Sequence, residues 1–150
     1  MSRDRLLVLD ACLGSGLAAQ LRVRGHRAVA GASIGLESAD DPGLLNALAA
    51  RFTEQQEWVL VTIDDALPAE QAELIRETRP TIATILPSWP EGMSEYGWYA
   101  DVLHRQAHRI QAQTPHTVRR YGLARSQPWR PRAPHLITRR GWRPWPENDG

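Results

Sequence analysis

Short apolar runs alternate with segments of helical periodicity over residues 1–113. The runs at 5–10, 26–31, 58–63 and 81–86 have the length of buried strands and are bounded by polar residues. Between these runs, apolar residues recur every three or four positions, which is typical of helices that bury one face. The alternation predicts an α/β fold, because neighbouring parallel strands need a crossover segment to connect them.

Four helices are expected from this periodicity, over about residues 17–24, 41–52, 68–79 and 94–113. The clearest start is at Asp41, because Asp is a favourable N-cap and the following Pro42 suits the first helical position. We expect the helices to cover both faces of a mostly parallel four-stranded sheet with the strand order 2-1-3-4.

Two acidic residues come at the ends of strands that are neighbours in this order. Asp10 ends the first strand, and Asp64 follows the third. The first two crossovers run in opposite senses, so a crevice opens between the carboxyl ends of these strands, where open α/β sheets bind their ligands. This placement makes the two carboxylates the leading candidates for the chemistry of the protein.

The stretch Gly14-Ser15-Gly16, with Ala19, offers a competing interpretation as the phosphate loop of a dinucleotide-binding fold. In that loop the first glycine directly follows the strand, whereas here Asp10 to Leu13 intervene. The fingerprint also requires an acidic residue about 20 positions later, where this chain has Gly31-Ala32-Ser33. We therefore interpret the stretch as a turn in which Ser15 caps the following helix.

Two further acids, Asp41 and Asp65, are expected near the same crevice. Carboxylates that converge repel one another, and binding a hard cation removes that cost. Mg²⁺ or Mn²⁺ suits such a site, because the ion is held by one or two carboxylates and keeps water molecules that can become nucleophiles. Each acid also has an ordinary alternative role, Asp41 as a helix cap and Asp65 as a turn residue.

A family resemblance covers residues 6–67. The segments "LLVLD", "RGH" and "VTIDD", with a helix-opening acid before the last of them, resemble the small PIN-like proteins related to the toxin nucleases of toxin–antitoxin modules. The resemblance implies a PIN-like three-layer α/β/α fold over residues 1–113, a divalent metal ion and endoribonuclease activity. Carried over residue by residue, it makes Asp10, Asp41 and Asp64 the metal-binding and catalytic acids.

The chain departs from the PIN-like pattern after the third strand. Members of the family commonly have a further acid two residues beyond the strand-end acid, and Ala66 occupies that position here. Asp65, one position earlier, is the candidate for a weaker fourth catalytic residue. The residues after 113 have no counterpart in the resemblance.

Residues 114–150 form a basic arm that is rich in proline and tryptophan. They hold six of the eleven prolines and three of the six tryptophans. Residues 101–150 contain ten Arg against three acids, whereas residues 1–100 contain eight Arg against fourteen acids. Basic residues with interspersed Trp suit phosphates and unpaired bases, and the candidates for RNA contact are Arg119, Arg120, Arg125, Trp129, Arg130 and Arg132.

The residues alone leave three roles open for this arm. These are RNA binding, docking of an acidic antitoxin, and packing against the acidic first part of the chain. All eighteen basic residues are Arg, which a GC-rich genome would also produce without selection for binding.

His104 and His108 lie one helical turn apart, a spacing found in zinc proteases. Arg105 occupies the position of the catalytic Glu in that motif, so we interpret the two imidazoles as part of a solvated helix face.

The chain contains no apolar run of the roughly 18 residues that a membrane span needs. No signal-peptide apolar region follows its first residues, and the single Cys12 excludes an internal disulfide. We expect a cytoplasmic protein without a membrane partner, whose protein partners are an antitoxin or a second copy in a homodimer.

The leading hypothesis for the function is a metal-dependent endoribonuclease. The alternative is a non-catalytic PIN-like module for nucleic-acid binding or assembly, in which the acids only cap helices.

Overall fold

A computed structural model describes residues 5–10, 13–35, 41–51, 58–132, 143 and 145. The strands are β1 (Leu6–Leu9), β2 (Ala28–Ala30), β3 (Trp58–Thr62), β4 (Ile82–Ile85), β5 (Val118–Tyr121) and β6 (Ser126–Pro128). The helices are α1 (Gly14–Val23), α2 (Asp41–Arg51), α3 (Leu67–Glu70), α4 (Ala72–Thr78) and α5 (Glu95–Gln111), with a short 3₁₀ helix at Gly31–Ile34. The α/β class predicted from the alternation of apolar runs and helical segments is therefore confirmed.

The described strands form one sheet in the order β2-β1-β3-β4-β5-β6. The pairs from β2 to β5 are parallel, and β6 runs antiparallel to β5. The predicted order 2-1-3-4 and the mostly parallel character are confirmed, but the predicted number of four strands is wrong. The two extra strands, β5 and β6, lie within the predicted arm of residues 114–150.

The core consists of two apolar clusters, one on each face of the sheet. Side chains alternate along each strand, so Leu7 and Leu9 of β1 pack with α1 and α5, whereas Val8 packs with α2, α3 and α4. Burial on both faces explains why β1, β3 and β4 have nearly uninterrupted apolar sequences. None of the helices in the described ranges is both long enough and apolar enough to cross a membrane.

Two local expectations differ from the structure. Gly14-Ser15-Gly16 forms the first turn of α1, and the N-cap position is Leu13, which makes no side-chain capping bond. Ser15 is therefore not the helix cap. The single helix expected over 68–79 is divided into α3 and α4 at Gln71, whose backbone leaves the helical conformation with a φ of −113° and a ψ of 28°.

The C-terminal part of the described chain packs against the sheet domain. Trp129 is only 1 % exposed, and Trp145 lies beside it with 5.7 Å between the ring centroids. The guanidinium of Arg76 on α4 lies 5.6 Å from the ring of Trp145. β5, β6, Trp129 and Trp145 all come after residue 113, where the sequence predicts the end of a domain of residues 1–113 and the start of an arm of residues 114–150. Residues 133–142, which belong to the predicted arm, lie outside the described residues.

Candidate functional site

Asp10 and Asp64 directly follow neighbouring parallel strands. Leu9 pairs with Val61 in the register of β1 and β3, and the amide of Asp10 donates a hydrogen bond to the carbonyl of Val61 at 2.9 Å. Both acids are half-buried at the carboxyl edge of the sheet. The crossovers on either side of β1 and β3 run in opposite senses, so this edge is the topological switch point that the strand order predicted.

The hydroxyl of Thr62, the last residue of β3, connects the two acids. Its Oγ1 donates to Oδ2 of Asp10 at 2.9 Å and accepts a hydrogen bond from the amide of Asp64 at 3.1 Å. Thr62 is fully buried, so its hydroxyl needs these partners. A buried threonine therefore fixes the carboxylate of one acid and the backbone of the other.

Asp64 also starts the turn that leads into α3. Its Oδ1 accepts from the amide of Ala66 at 3.1 Å, and its carbonyl accepts from the amide of Leu67 at 3.1 Å. No described residue donates a hydrogen bond to Oδ2 of Asp64. One oxygen of this carboxylate thus holds the turn, and the other has no hydrogen-bond donor in the described part of the chain.

The carboxylate of Asp65, the next residue in the chain, belongs to a buried ion pair. Nε and Nη2 of Arg120 each lie 2.8 Å from a different oxygen of the Asp65 carboxylate, and both side chains are only 4 % exposed. The hydroxyl of Thr84 and the indole Nε1 of Trp129 donate to Oδ1 of Asp65 at 3.3 and 3.2 Å. Arg120 thus pairs with the carboxylate that the sequence suggested as a weaker fourth catalytic acid, and that role of Asp65 stays a prediction.

Three of these polar residues form one row across the sheet. Thr62 of β3 is in register with Thr84 of β4, and Thr84 is in register with Arg120 of β5. Residues in register on adjacent strands project from the same face. Two positions earlier, the same face is apolar, with Leu60, Ile82 and other members of the cluster under α2 and α4. The sheet therefore changes from apolar to polar at its carboxyl edge.

Sequence reasoning identified Asp10 and Asp64 but missed the threonines that hold the acids. The signal was present, because Thr62 and Thr84 are hydroxyl residues with an apolar residue on each side in the sequence. Their role depends on partners that are 52 and 19 residues away in the sequence.

α2 begins at Asp41, one residue before the predicted first helical position Pro42, and the side chain of Asp41 lies outside the described residues. Among the side chains that the structure describes, no three His, Cys, Asp or Glu residues converge closely enough to hold a metal ion. The described part of the site thus offers two acids, Asp10 and Asp64.

The residues expected to bind RNA divide into two groups. Arg120 and Trp129 are buried around Asp65, and their predicted contact with nucleic acid stays a prediction. Arg119 is half-buried and donates from Nη2 to the hydroxyl of Ser126 at 3.3 Å. The exposed members of the set are Arg125, Arg130 and Arg132.

A histidine cluster lies apart from this edge, where the start of β2 meets α5. The rings of His26 and His108 meet edge to face with 4.8 Å between their centroids. His104 is held at Nε2 by Oε1 of Gln20 at 3.1 Å, and its Nδ1 is buried without a hydrogen-bond partner in the described chain. Burial, and then the nearby Arg24, lower the pKa of His104. Of the two imidazoles predicted to lie on a solvated helix face, only His108 is exposed.

Comparisons of the chain with protein-family models, with curated proteins and with solved structures gave no match.

Proposed function

We propose that the protein is a metal-dependent endoribonuclease of PIN-like type that acts as the toxin of a toxin–antitoxin pair. The observation that supports this proposal best is the pair of acids at the switch point. Asp10 and Asp64 follow adjacent parallel strands and share the hydroxyl of Thr62. Open α/β sheets bind their ligands at this position.

The donor set fits Mg²⁺ or Mn²⁺. Both ions prefer oxygen ligands, and Mg²⁺ is commonly held by one or two carboxylates together with water and phosphate oxygens. Asp10 and Asp64 provide carboxylates, and Asp41 is the third acid that the family resemblance adds at the start of α2. When bound, the ion supplies positive charge for the phosphodiester and a water molecule of lowered pKa.

The chain's own residues would have distinct roles in this reaction. Asp10 and Asp64 hold the ion, and the hydrogen bond from Thr62 fixes the orientation of the Asp10 carboxylate. Exposed arginines after β5 contribute charge that attracts the phosphates of single-stranded RNA, namely Arg125, Arg130 and Arg132. Because Asp65 is paired with Arg120, it contributes no charge to the ion in this scheme.

The test is cleavage of single-stranded RNA by the full chain in Mn²⁺, compared with Asp10→Asn and Asp64→Asn. Asn keeps an oxygen that can accept from Thr62 or from the amide of Ala66, so each variant loses the charge while it keeps the local hydrogen bond. We expect both variants to lose cleavage. Asp101→Asn, an exposed acid on α5, is the matched control and should cleave like the wild type. Cleavage that survives both changes at the switch point would refute the nuclease proposal.

A second candidate function, a non-catalytic nucleic-acid-binding or assembly module, has its own support. Asp64 accepts the amide of Ala66 at the start of α3, and Asp65 is neutralised in the core, so both acids have structural roles. RNA that is retained by the wild-type chain but not cut in the presence of Mn²⁺ would favour this alternative.

A further inference from the structure

One member of the buried ion pair between Asp65 and Arg120 directly follows the proposed metal ligand in the chain, because Asp65 comes after Asp64. A carboxylate and a guanidinium that are both 4 % exposed are costly to bury unless their geometry is good. Here the two 2.8 Å hydrogen bonds are bidentate, and Thr84 and Trp129 donate further bonds to the same carboxylate. The orientation of Asp65 is therefore fixed from three directions.

Arg120 is itself held by the residues that follow β6. Its Nη2 donates to the carbonyl of Arg130 at 2.8 Å, and its guanidinium lies 5.3 Å from the ring of Trp129. Trp129 also donates from Nε1 to the backbone carbonyl of Asp65 at 3.1 Å. The β5–β6 hairpin and the residues after it thus hold both the side chain and the backbone of Asp65.

Asp64 lies in the chain between two residues that are held by hydrogen bonds, Thr62 and Asp65. On its N-terminal side, its amide is bonded to Thr62, and on its C-terminal side Asp65 is bonded to Arg120. A displacement of the backbone at Asp65 would move the carboxylate of Asp64 relative to Asp10. A metal site tolerates little such movement, and residues that orient ligands commonly change metal affinity about 10- to 100-fold when they are replaced.

We propose that Arg120 is a positioning residue for the metal site, acting through Asp65 on the carboxylate of Asp64. This inference rests on the proposed function, because it takes Asp10 and Asp64 as ligands of a divalent ion. It gives the C-terminal hairpin a defined role at the carboxyl edge of the sheet, although no atom of Arg120 touches the ion.

The first test is Mn²⁺ binding by the full chain, measured by electron paramagnetic resonance of the free ion. We expect Arg120→Met to weaken Mn²⁺ binding by about 10- to 100-fold. The matched control is Arg105→Met, which removes an exposed guanidinium from α5 and should leave the binding unchanged. If Asp65 were instead a metal ligand, loss of Arg120 would free its carboxylate and strengthen Mn²⁺ binding. Unchanged or stronger binding by Arg120→Met would overturn the proposal.

A double variant covers the case in which Arg120→Met does not fold, since that change leaves the Asp65 carboxylate buried without its partner. Asp65→Leu combined with Arg120→Met removes both charges, and such replacements of buried ion pairs are commonly tolerated. We expect this double variant to fold with a cooperative unfolding transition and to bind Mn²⁺ about 10- to 100-fold more weakly than the wild type. Wild-type affinity in the folded double variant would show that the ion pair does not position the site.

A readout that needs no metal separates this inference from the proposed function. If the wild type binds no Mn²⁺, or if Asp10→Asn and Asp64→Asn bind it like the wild type, the proposed function fails. Amide hydrogen exchange in the apo chain then tests the positioning alone. We expect the double variant to exchange the amides of Asp64 and Ala66 faster than Arg105→Met does, because those amides form the turn's hydrogen bonds. Equal exchange rates would overturn the positioning role.

Discussion

The hydroxyl of Thr62 should contribute measurably to stability, and Thr62→Val isolates that contribution. Val has nearly the shape of Thr but carries a methyl group in place of the hydroxyl, so the variant removes two hydrogen bonds while it keeps the size of the side chain. One bond joins the hydroxyl to the carboxylate of Asp10, and the other joins it to the amide of Asp64. Both are at the end of a strand whose side chains are buried.

The magnitude follows from the kinds of bond that are lost. A hydrogen bond to a charged group contributes about 1.5–3 kcal/mol, and one between neutral groups about 0.5–1.5 kcal/mol. Asp10 is half-buried, so water can replace part of the lost interaction. We therefore expect Thr62→Val to lower the free energy of unfolding by about 2 kcal/mol. For a domain of this size, that corresponds to a fall in Tm of roughly 4–8 °C.

Urea unfolding followed by circular dichroism at pH 7 measures this change, with Thr62→Ser as the control. Ser keeps the hydroxyl and loses a buried methyl group, which costs on the order of 1 kcal/mol. We expect Thr62→Ser to be more stable than Thr62→Val. The opposite order, or a Thr62→Val variant as stable as the wild type, would mean that packing of the methyl group, and not the hydrogen bonds, determines the role of Thr62.

Two further predictions concern charge. The pKa of His104 is lowered by burial, so the folded chain takes up a proton there less readily than the unfolded chain, and stability should fall as the pH drops below about 6.5. Urea unfolding between pH 7.5 and 5.5 should show a smaller loss for His104→Gln than for the wild type, and an equal loss would contradict this assignment. For RNA, Arg125→Ala should make the negative slope of log affinity against log salt concentration shallower by about 0.7, the value for one phosphate contact on a single strand. A filter-binding salt series checks this, and an unchanged slope would exclude Arg125 from the interface.

Much of the sheet was predictable because burial on both faces leaves a local signal. β1, β3 and β4 are runs of apolar residues, and each strand shows its character without reference to its neighbours. β5 has the sequence VRRY, and β6 contains Pro128 and no apolar run. Arg120 can be buried in β5 only because Asp65 neutralises it, and that partner is 55 residues away in the chain. A local pattern does not contain this information.

In the candidate site, the placement of Asp10 and Asp64 was predictable, but the contacts of their side chains were not. The order of the strands alone brings Asp10 and Asp64 to one edge. What each carboxylate does there depends on side chains from other strands, such as Thr62 and Arg120. Asp64 and Asp65 are adjacent and chemically identical, yet one is half-buried at the edge of the sheet and the other is paired in the core. Charge and spacing in the sequence could not separate them.

Truncation of the chain tests whether the residues after 113 are needed for the domain to fold. A chain that ends at residue 113 lacks β5 and β6, so it exposes the edge of β4 and leaves the Asp65 carboxylate without Arg120. We expect it to aggregate or to unfold without cooperativity. A chain that ends at residue 132 keeps β5, β6 and Trp129, loses the packing of Trp145, and should unfold cooperatively at a lower Tm than the full chain. Thermal unfolding followed by circular dichroism compares the two. If a chain of residues 1–113 unfolds as cooperatively as the longer one, the domain folds without the β5–β6 hairpin. The Asp65–Arg120 ion pair would then not be needed to position Asp10 and Asp64.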